Sequence, residues 1–89
     1  MLDDHELLRN YREQGSEEAF GQLVSRYINL VHSAALRRVG GNVELAKDVA
    51  QIVFTDLAKK ACRLPKKVVL AGWLHHATRF AAMLYHASD

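Results

Sequence analysis

The residues that interrupt helices are few in this chain, and they divide it into four segments. The only proline is Pro65, and together with the glycines it places three breaks, at residues 15–16, 40–42 and about 62–69. No segment shows the alternation of apolar and polar residues that a half-buried strand requires, and the short apolar run at 68–70 cannot pair alone. We therefore predict an all-α, four-helix arrangement with short connections.

Local signals indicate where these helices begin and end. Ser16 is the candidate N-cap of the second helix, and Asp3 or Asp4 that of the first, because short side-chain oxygens accept hydrogen bonds from first-turn amides. Gly15 can end the first helix in the left-handed conformation. The predicted helices cover about residues 4–14, 17–39, 43–61 and 70–87.

Apolar residues recur at spacings of three and four within the segments, which is typical of helices that bury one face. From the third helix we expect the core to receive Leu45, Val49, Ile52, Val53 and Leu57. From the fourth helix we expect it to receive Trp73, Leu74, Ala77, Phe80, Ala81 and Leu84.

Length and composition limit the kind of protein this can be. The 89 residues are enough for one domain, and 49% apolar residues with a net charge of +2 argue against disorder. No apolar run approaches the ~18 residues of a membrane span, and the acidic start of the chain does not resemble a secretory signal. The single cysteine, Cys62, suits a reducing compartment. We expect one cytoplasmic domain over residues 1–89 that does not insert into membranes.

The residue patterns of enzymes and metal sites are missing. There is no glycine-rich phosphate loop, and Cys62 has no cysteine partner. His75 and His76 are adjacent, so on a helix they point about 100° apart and cannot share an ion. No pair of carboxylates is placed for acid–base chemistry. We therefore expect no catalytic residue, no metal and no cofactor, and we predict that the chain is not an enzyme.

The two ends of the chain differ in charge. Residues 1–18 carry a balance of −4, whereas residues 19–89 carry +6. Between Leu57 and Ser88 there are six bases and no acid. This asymmetry favours a polyanionic partner for the second half, and the alternative is a basic face in contact with solvent alone.

The third predicted helix has a polar pair opposite its apolar residues. Asp48 and Gln51 are three positions apart and share a face, while Val49, Ile52 and Val53 point largely the other way. Such a pair could form hydrogen bonds with a partner helix, and the alternative is an ordinary solvated face.

The order of these features resembles region 2 of the bacterial sigma factors of the extracytoplasmic-function type. The resemblance covers about residues 19–82, and its most specific part is the Asp-Val-x-Gln-x-x-Phe block followed by Trp-Leu. The matching positions are Phe20, Leu23, Tyr27, Ala35, Arg38, Gly40, Ala46, Asp48, Val49, Gln51, Phe54, Leu57, Trp73, Leu74 and Arg79. The resemblance implies a sigma region 2 bundle with a basic loop before the last helix.

Some positions depart from the family pattern. Lys47 replaces the usual glutamate, Ala58 stands where tryptophan is common, and Phe80 takes the place of a frequent asparagine. The second sigma domain, region 4, which reads the −35 element, is absent from these 89 residues. The resemblance therefore predicts one sigma domain that does not select promoters on its own.

In that family, region 2 docks on the clamp helices of the RNA polymerase β′ subunit. Carried over, the resemblance implies that Asp48 and Gln51 make polar contacts there, with Lys47 or Thr55 at the rim. The reversed charge of Lys47 alters the sign of one contact. An anti-sigma protein that covers the same face is an expected further partner.

The family also opens the promoter −10 element and binds it as single-stranded DNA, which needs cations for the backbone and flat surfaces for the bases. The residues that the resemblance places there are Arg63, Lys66, Lys67, Trp73, His76, Arg79 and Phe80. Three of them have an alternative role. Trp73 suits the core, Arg79 could pair with an acid such as Asp56, and His76 could be an ordinary exposed residue.

Three functions agree with these features to different degrees. The preferred one is a sigma region 2 domain that binds core RNA polymerase and −10 DNA without catalysis. The alternative is a helical protein–protein adaptor that leaves the basic stretch solvated. A duplex-reading helix-turn-helix repressor fits less well, because the second helix is too long for that motif.

Overall fold

The computed structural model describes residues 2–87 of the chain, and side chains up to residue 85. The all-α prediction is confirmed, since this part of the chain contains no strand. The elements are α1 (Asp4–Gln14), α2 (Glu17–Arg38), α3 (Val43–Lys60), a single 3₁₀ turn (Ala61–Arg63) and α4 (Leu70–Ala87).

Side-chain caps begin the first three helices. The Asp3 carboxylate accepts a hydrogen bond from the Glu6 amide at 2.9 Å, so Asp3 and not Asp4 is the cap of α1. Ser16 Oγ accepts from the third amide of α2 at 3.1 Å, and Asn42 Oδ1 does the same for α3 at 3.1 Å. Each cap satisfies an amide that the helix itself leaves unpaired, and thereby places the first turn.

Two consecutive glycines connect α2 and α3. Gly40 and Gly41 both have positive φ angles, of 66° and 82°, which residues with a Cβ atom rarely adopt. The Gly41 amide donates to the Leu36 carbonyl at 2.9 Å and closes the end of α2. The chain reverses within this short turn, so α3 packs back along α2.

The core lies around α2, which packs against each of the other three helices. Every helix contributes to it, and Leu23 of α2 is completely buried among the others. The largest fully buried side chains are Leu7, Leu23, Val31, Val49, Val53, Leu57, Leu74 and Thr78. The Thr78 hydroxyl donates to the Leu74 carbonyl at 2.7 Å, which satisfies this buried polar group within its own helix.

The prediction was wrong for three residues that were expected in the core. Phe80, Leu84 and Ile52 are 69%, 66% and 39% exposed, and Trp73 is only partly buried. Helix α4 has more apolar residues than one face can hold, and Leu70, Leu74 and Ala81 occupy the face that packs on the core. Trp73, Phe80 and Leu84 are left on the side of α4 that faces α3, and the exposed Met83 lies on the side that faces α2.

None of the helices in residues 2–87 combines the length and the apolarity that a membrane span requires.

Candidate functional site

The four residues predicted to contact the polymerase lie together on the outer surface of α3. Lys47, Asp48, Gln51 and Thr55 are all exposed, and their spacing places them on adjacent turns of one face. None of them forms an ion pair or a side-chain hydrogen bond with another residue of the described chain. Their polar groups are therefore available to a partner.

Three of these residues border an apolar groove between α2 and α3, which we call the α2–α3 groove. Its volume is about 620 Å³, and Lys47, Gln51 and Thr55 stand at its α3 side. Asp48 instead contributes to the neighbouring surface with Asp56 and Lys59. The apolar lining of the groove consists of Phe20, Val24, Ile28, Ala50, Phe54 and Ala58.

The basic loop, residues 61–69, presents exposed cations from a backbone that is tied to α1. Arg63, Lys66 and Lys67, which the resemblance assigned to DNA, are exposed. His5 Nδ1 lies 2.6 Å from the Lys66 carbonyl oxygen, and Arg12 Nη1 donates to the Leu64 carbonyl at 3.4 Å. These contacts hold the backbone of the loop while its cationic side chains remain in solvent.

The residues that were assigned to DNA on α4 fall on two different faces. Trp73, His76 and Phe80 line a groove of about 490 Å³ between α3 and α4, which we call the α3–α4 groove. Arg79 is not part of it, because adjacent helical residues such as Arg79 and Phe80 point about 100° apart. Across the groove from the aromatic rings lies Lys60, which is paired with Asp56 of the same helix at 3.0 Å.

Arg79 does not form the ion pair with Asp56 that was its alternative role. Asp56 pairs with Lys60 at 3.0 Å, one helical turn away on α3. Arg79 forms no ion pair within residues 2–85. Its guanidinium group therefore keeps its capacity to bind an anion.

Arg79 instead joins two arginines and a histidine that the sequence prediction missed. The cleft between the end of α2 and the middle of α4 is lined by Arg37, Arg38, His75 and Arg79, and we call it the arginine cleft. Its volume is about 380 Å³. The i, i+4 spacing of His75 and Arg79 was a usable signal for the α4 side of this cleft.

A polar cluster joins the start of α1 to the middle of α2. The Asp4 carboxylate accepts hydrogen bonds from Arg26 Nη1 at 2.7 Å and from the Tyr27 hydroxyl. Burial, with the hydrogen bond to Asp4 as the next cause, raises the pKa of Tyr27 to about 12. One negative charge of the N-terminal segment, that of Asp4, thus takes part in a contact between α1 and α2.

The side chains described here include no group of three His, Cys, Asp or Glu residues that could hold a metal ion. Cys62 is exposed and has no disulfide partner.

No protein-family model, curated protein or solved structure matches this chain.

Proposed function

We propose that this chain is a non-catalytic binding domain of the sigma region 2 kind. It attaches to core RNA polymerase through α3 and holds −10 promoter DNA as a single strand with the basic loop and α4. The observation that carries the proposal is the exposed Phe80 ring, beside Trp73 and His76 on the helix that follows the basic loop. In this proposal the protein acts in the cytoplasm, and the polymerase performs all the chemistry.

The α4 surface has the two components that single-strand binding needs. Phe80 and Trp73 offer flat faces on which bases can stack, since every base has a π-face. Arg63, Lys66 and Lys67 offer free positive charge to the backbone. A strand that follows the loop into the α3–α4 groove would meet cations first and rings second.

The α3 surface supports docking on a helical partner. Gln51 and Thr55 supply hydrogen-bonding groups next to the apolar α2–α3 groove, and Asp48 adds a charge on the other side of Gln51. Helix-in-groove recognition combines an apolar floor of this kind with polar contacts at its edge. In this proposal the clamp helices of the β′ subunit supply the partner helix.

Ala58 supports the assignment of the partner face in a different way. In the sigma family this position commonly holds a tryptophan, whereas here the small side chain leaves the α2–α3 groove open. A partner helix, from the polymerase or from an anti-sigma protein, could place its own large side chain there. The same groove also favours the second candidate function, a protein–protein adaptor without DNA contact.

Titration against core RNA polymerase, or a fragment with its β′ clamp helices, tests the docking half of the proposal. We expect saturable binding that the Asp48→Ala/Gln51→Ala double variant weakens by tenfold or more. The matched control is Glu13→Ala/Gln14→Ala, which removes one carboxylate and one amide from exposed positions of α1. Absence of binding by the unmodified domain, or equal loss in both variants, would reject docking through α3.

Salt-dependent binding of a single-stranded oligonucleotide tests the DNA half. We expect the triple variant Arg63→Gln/Lys66→Gln/Lys67→Gln to bind more weakly, with a shallower dependence of affinity on salt. Circular dichroism checks that the variant is folded. Saturable polymerase binding together with no affinity for DNA would instead select the adaptor.

A further inference from the structure

The α2–α3 groove runs along two antiparallel helices, and its two ends differ in chemistry. On α2 its lining recurs every fourth residue, from Phe20 to His32. The short turn that joins the helices places His32 and Lys47 at the same end of the groove. Phe20 and Ala58 lie at the other end. The helical rise of ~1.5 Å per residue puts ~16 Å between Lys47 and Ala58, about the length of an extended dodecanoyl chain.

The floor of the groove is apolar and open to solvent. The small side chains of Ala50 and Ala58 give it depth on the α3 side, with the Phe54 ring between them. On the α2 side, Ile28 is 37% exposed and Val24 is partly buried. The volume of about 620 Å³ falls within the range of small-ligand sites, roughly 300–1,000 Å³. Apolar surface of this kind gains free energy when a hydrocarbon chain covers it.

Positive charge is confined to one end of the groove. Lys47 is exposed and forms no ion pair with any described side chain, and His32 lines the same end from α2. None of the lining residues is acidic. The other polar groups, the Gln51 amide and the Thr55 hydroxyl, are neutral. The groove is therefore complementary to an amphiphile with a negative head at the Lys47 end and an apolar tail.

The α3–α4 groove, of about 490 Å³, lacks this combination. Its lysine, Lys60, is already paired with Asp56 at 3.0 Å. The Asp56 carboxylate lines the groove as well, and it would repel a second carboxylate placed there. An anionic amphiphile should therefore prefer the α2–α3 groove, whose single lysine has no counter-charge and matches a head group with one negative charge.

We propose that the α2–α3 groove binds a single-chain amphiphile with a carboxylate head, the chemical class of the long-chain fatty acids. The carboxylate pairs with Lys47 Nζ and accepts a hydrogen bond from the His32 ring. The tail lies over Phe54 and extends toward Ala58. The chain alone is sufficient for this binding, which needs neither polymerase nor nucleic acid.

Calorimetric titration of the full 89-residue chain with sodium dodecanoate, below its micelle-forming concentration, tests the site. We expect saturable binding at one site, with affinity falling by up to about fourfold for each CH₂ removed through decanoate to octanoate. Dodecyltrimethylammonium has the same tail and a positive head, so it should bind more weakly than dodecanoate. Lys47→Gln should reduce that preference severalfold. Binding that does not saturate, or equal affinity for the two head groups, would overturn the proposal.

Two substitutions test the position of the tail. Ala58→Trp fills the apolar end of the groove and should lower dodecanoate affinity by about tenfold or more, because the last methylenes lose their contacts at about fourfold each. Its matched control is Ala77→Trp, which adds the same ring to another partly buried alanine, one that lines the α3–α4 groove. Ile28→Gln, with the exposed Val43→Gln as its control, makes the same test without an added ring.

Unfolding midpoints verify that these variants are folded, and Ile28→Gln carries the test if Ala58→Trp is not. A loss confined to Ala58→Trp and Ile28→Gln would support the site. Equal losses in the variants and their controls would overturn it, because the amphiphile would then bind without preference for this groove. So would unchanged affinity in both folded variants.

Competition with core RNA polymerase is expected because Gln51 and Thr55 border the same groove, and this expectation rests on the proposed function. Dodecanoate should raise the apparent Kd for polymerase as it fills the groove, and dodecyltrimethylammonium should do so less. A chain that binds dodecanoate but not polymerase would reject the proposed function and leave the ligand site standing. A chain that binds polymerase but not dodecanoate would reject the ligand site and leave the proposed function standing.

Discussion

His5 Nδ1 lies 2.6 Å from the carbonyl oxygen of Lys66, a residue 61 positions further along the chain. A carbonyl oxygen only accepts hydrogen bonds, so the contact requires a proton on Nδ1. Together with the hydrogen bond from Arg12 to the Leu64 carbonyl, it attaches the basic loop to the acidic first helix. The acidic helix α1 and the basic loop therefore form one structural unit, in which α1 positions the loop.

We expect His5→Ala to loosen the basic loop while leaving the bundle folded. The lost hydrogen bond is exposed, so global stability should fall by less than about 1 kcal/mol. Hydrogen exchange at the Val68 amide, which donates to the Pro65 carbonyl within the loop, should become faster. Glu13→Ala, an exposed change on the same helix, serves as the control. Unchanged exchange at Val68 would mean that other contacts hold the loop.

Stability should decrease in strong alkali because of Tyr27. Its pKa is raised from 10.0 to about 12, so the folded state favours the neutral phenol. The contribution is fully present below pH 10, where the unfolded chain also keeps the proton, and it is lost as the pH rises toward about 12. Urea unfolding at a series of pH values measures this decline.

Tyr27→Phe should make the alkaline part of that profile flatter, because no phenol remains to ionise at this position. The variant also removes the hydrogen bond to Asp4, so we expect lower stability at neutral pH. Tyr85→Phe on α4 is the control and should preserve the slope that Tyr27 causes. Identical profiles for the parent chain and Tyr27→Phe would contradict the role of this residue.

Two apolar residues of α3 should respond very differently to truncation. Leu57 is completely buried, and its replacement by alanine should lower the free energy of unfolding by about 2–5 kcal/mol through lost burial and a cavity. Ile52 is 39% exposed, so Ile52→Ala should cost about 1 kcal/mol or less. Chemical denaturation of both variants compares them directly. Similar losses of unfolding free energy in the two variants would mean that the Ile52 side chain is buried in solution.

Phe80→Ala should separate binding from stability. The ring is 69% exposed, so we expect the free energy of unfolding to change by about 0.5 kcal/mol or less. Loss of a stacked base should weaken single-stranded DNA binding by an amount equivalent to about 1–3 kcal/mol. Fluorescence anisotropy with a labelled oligonucleotide measures the affinity, and Val43→Ala provides an exposed apolar control on α3. An unchanged affinity would remove Phe80 from the DNA-binding surface.

Helix positions could be predicted from the sequence because they depend on neighbouring residues. Ser16 caps α2 through a hydrogen bond from an amide three residues away, and Gly15 ends α1 in the left-handed conformation with a φ of 63°. The predicted spans 4–14 and 70–87 coincide with α1 and α4. The exposed face of α3 was predictable for the same reason, since spacing along one helix determines which residues share a face.

Contacts between helices could not be predicted in this way. Periodicity marked Phe80 and Leu84 as core residues, but α4 has several apolar faces and only packing on α2 and α3 selects the one that is buried. Arg79 had been grouped with Phe80, although the two point into different clefts. Which groups meet across a cleft depends on the rotation of one helix against another.

The sequence by itself determined the four helices, the Ser16 cap of α2 and the polar face of α3, because hydrogen bonds and side-chain spacing within one helix act over a few residues. The tertiary structure alone decided that His5 holds the basic loop and that Arg38 and Arg79 share a cleft. Those pairs are separated by dozens of residues. They meet only because burial of the apolar faces around α2 places the helices side by side.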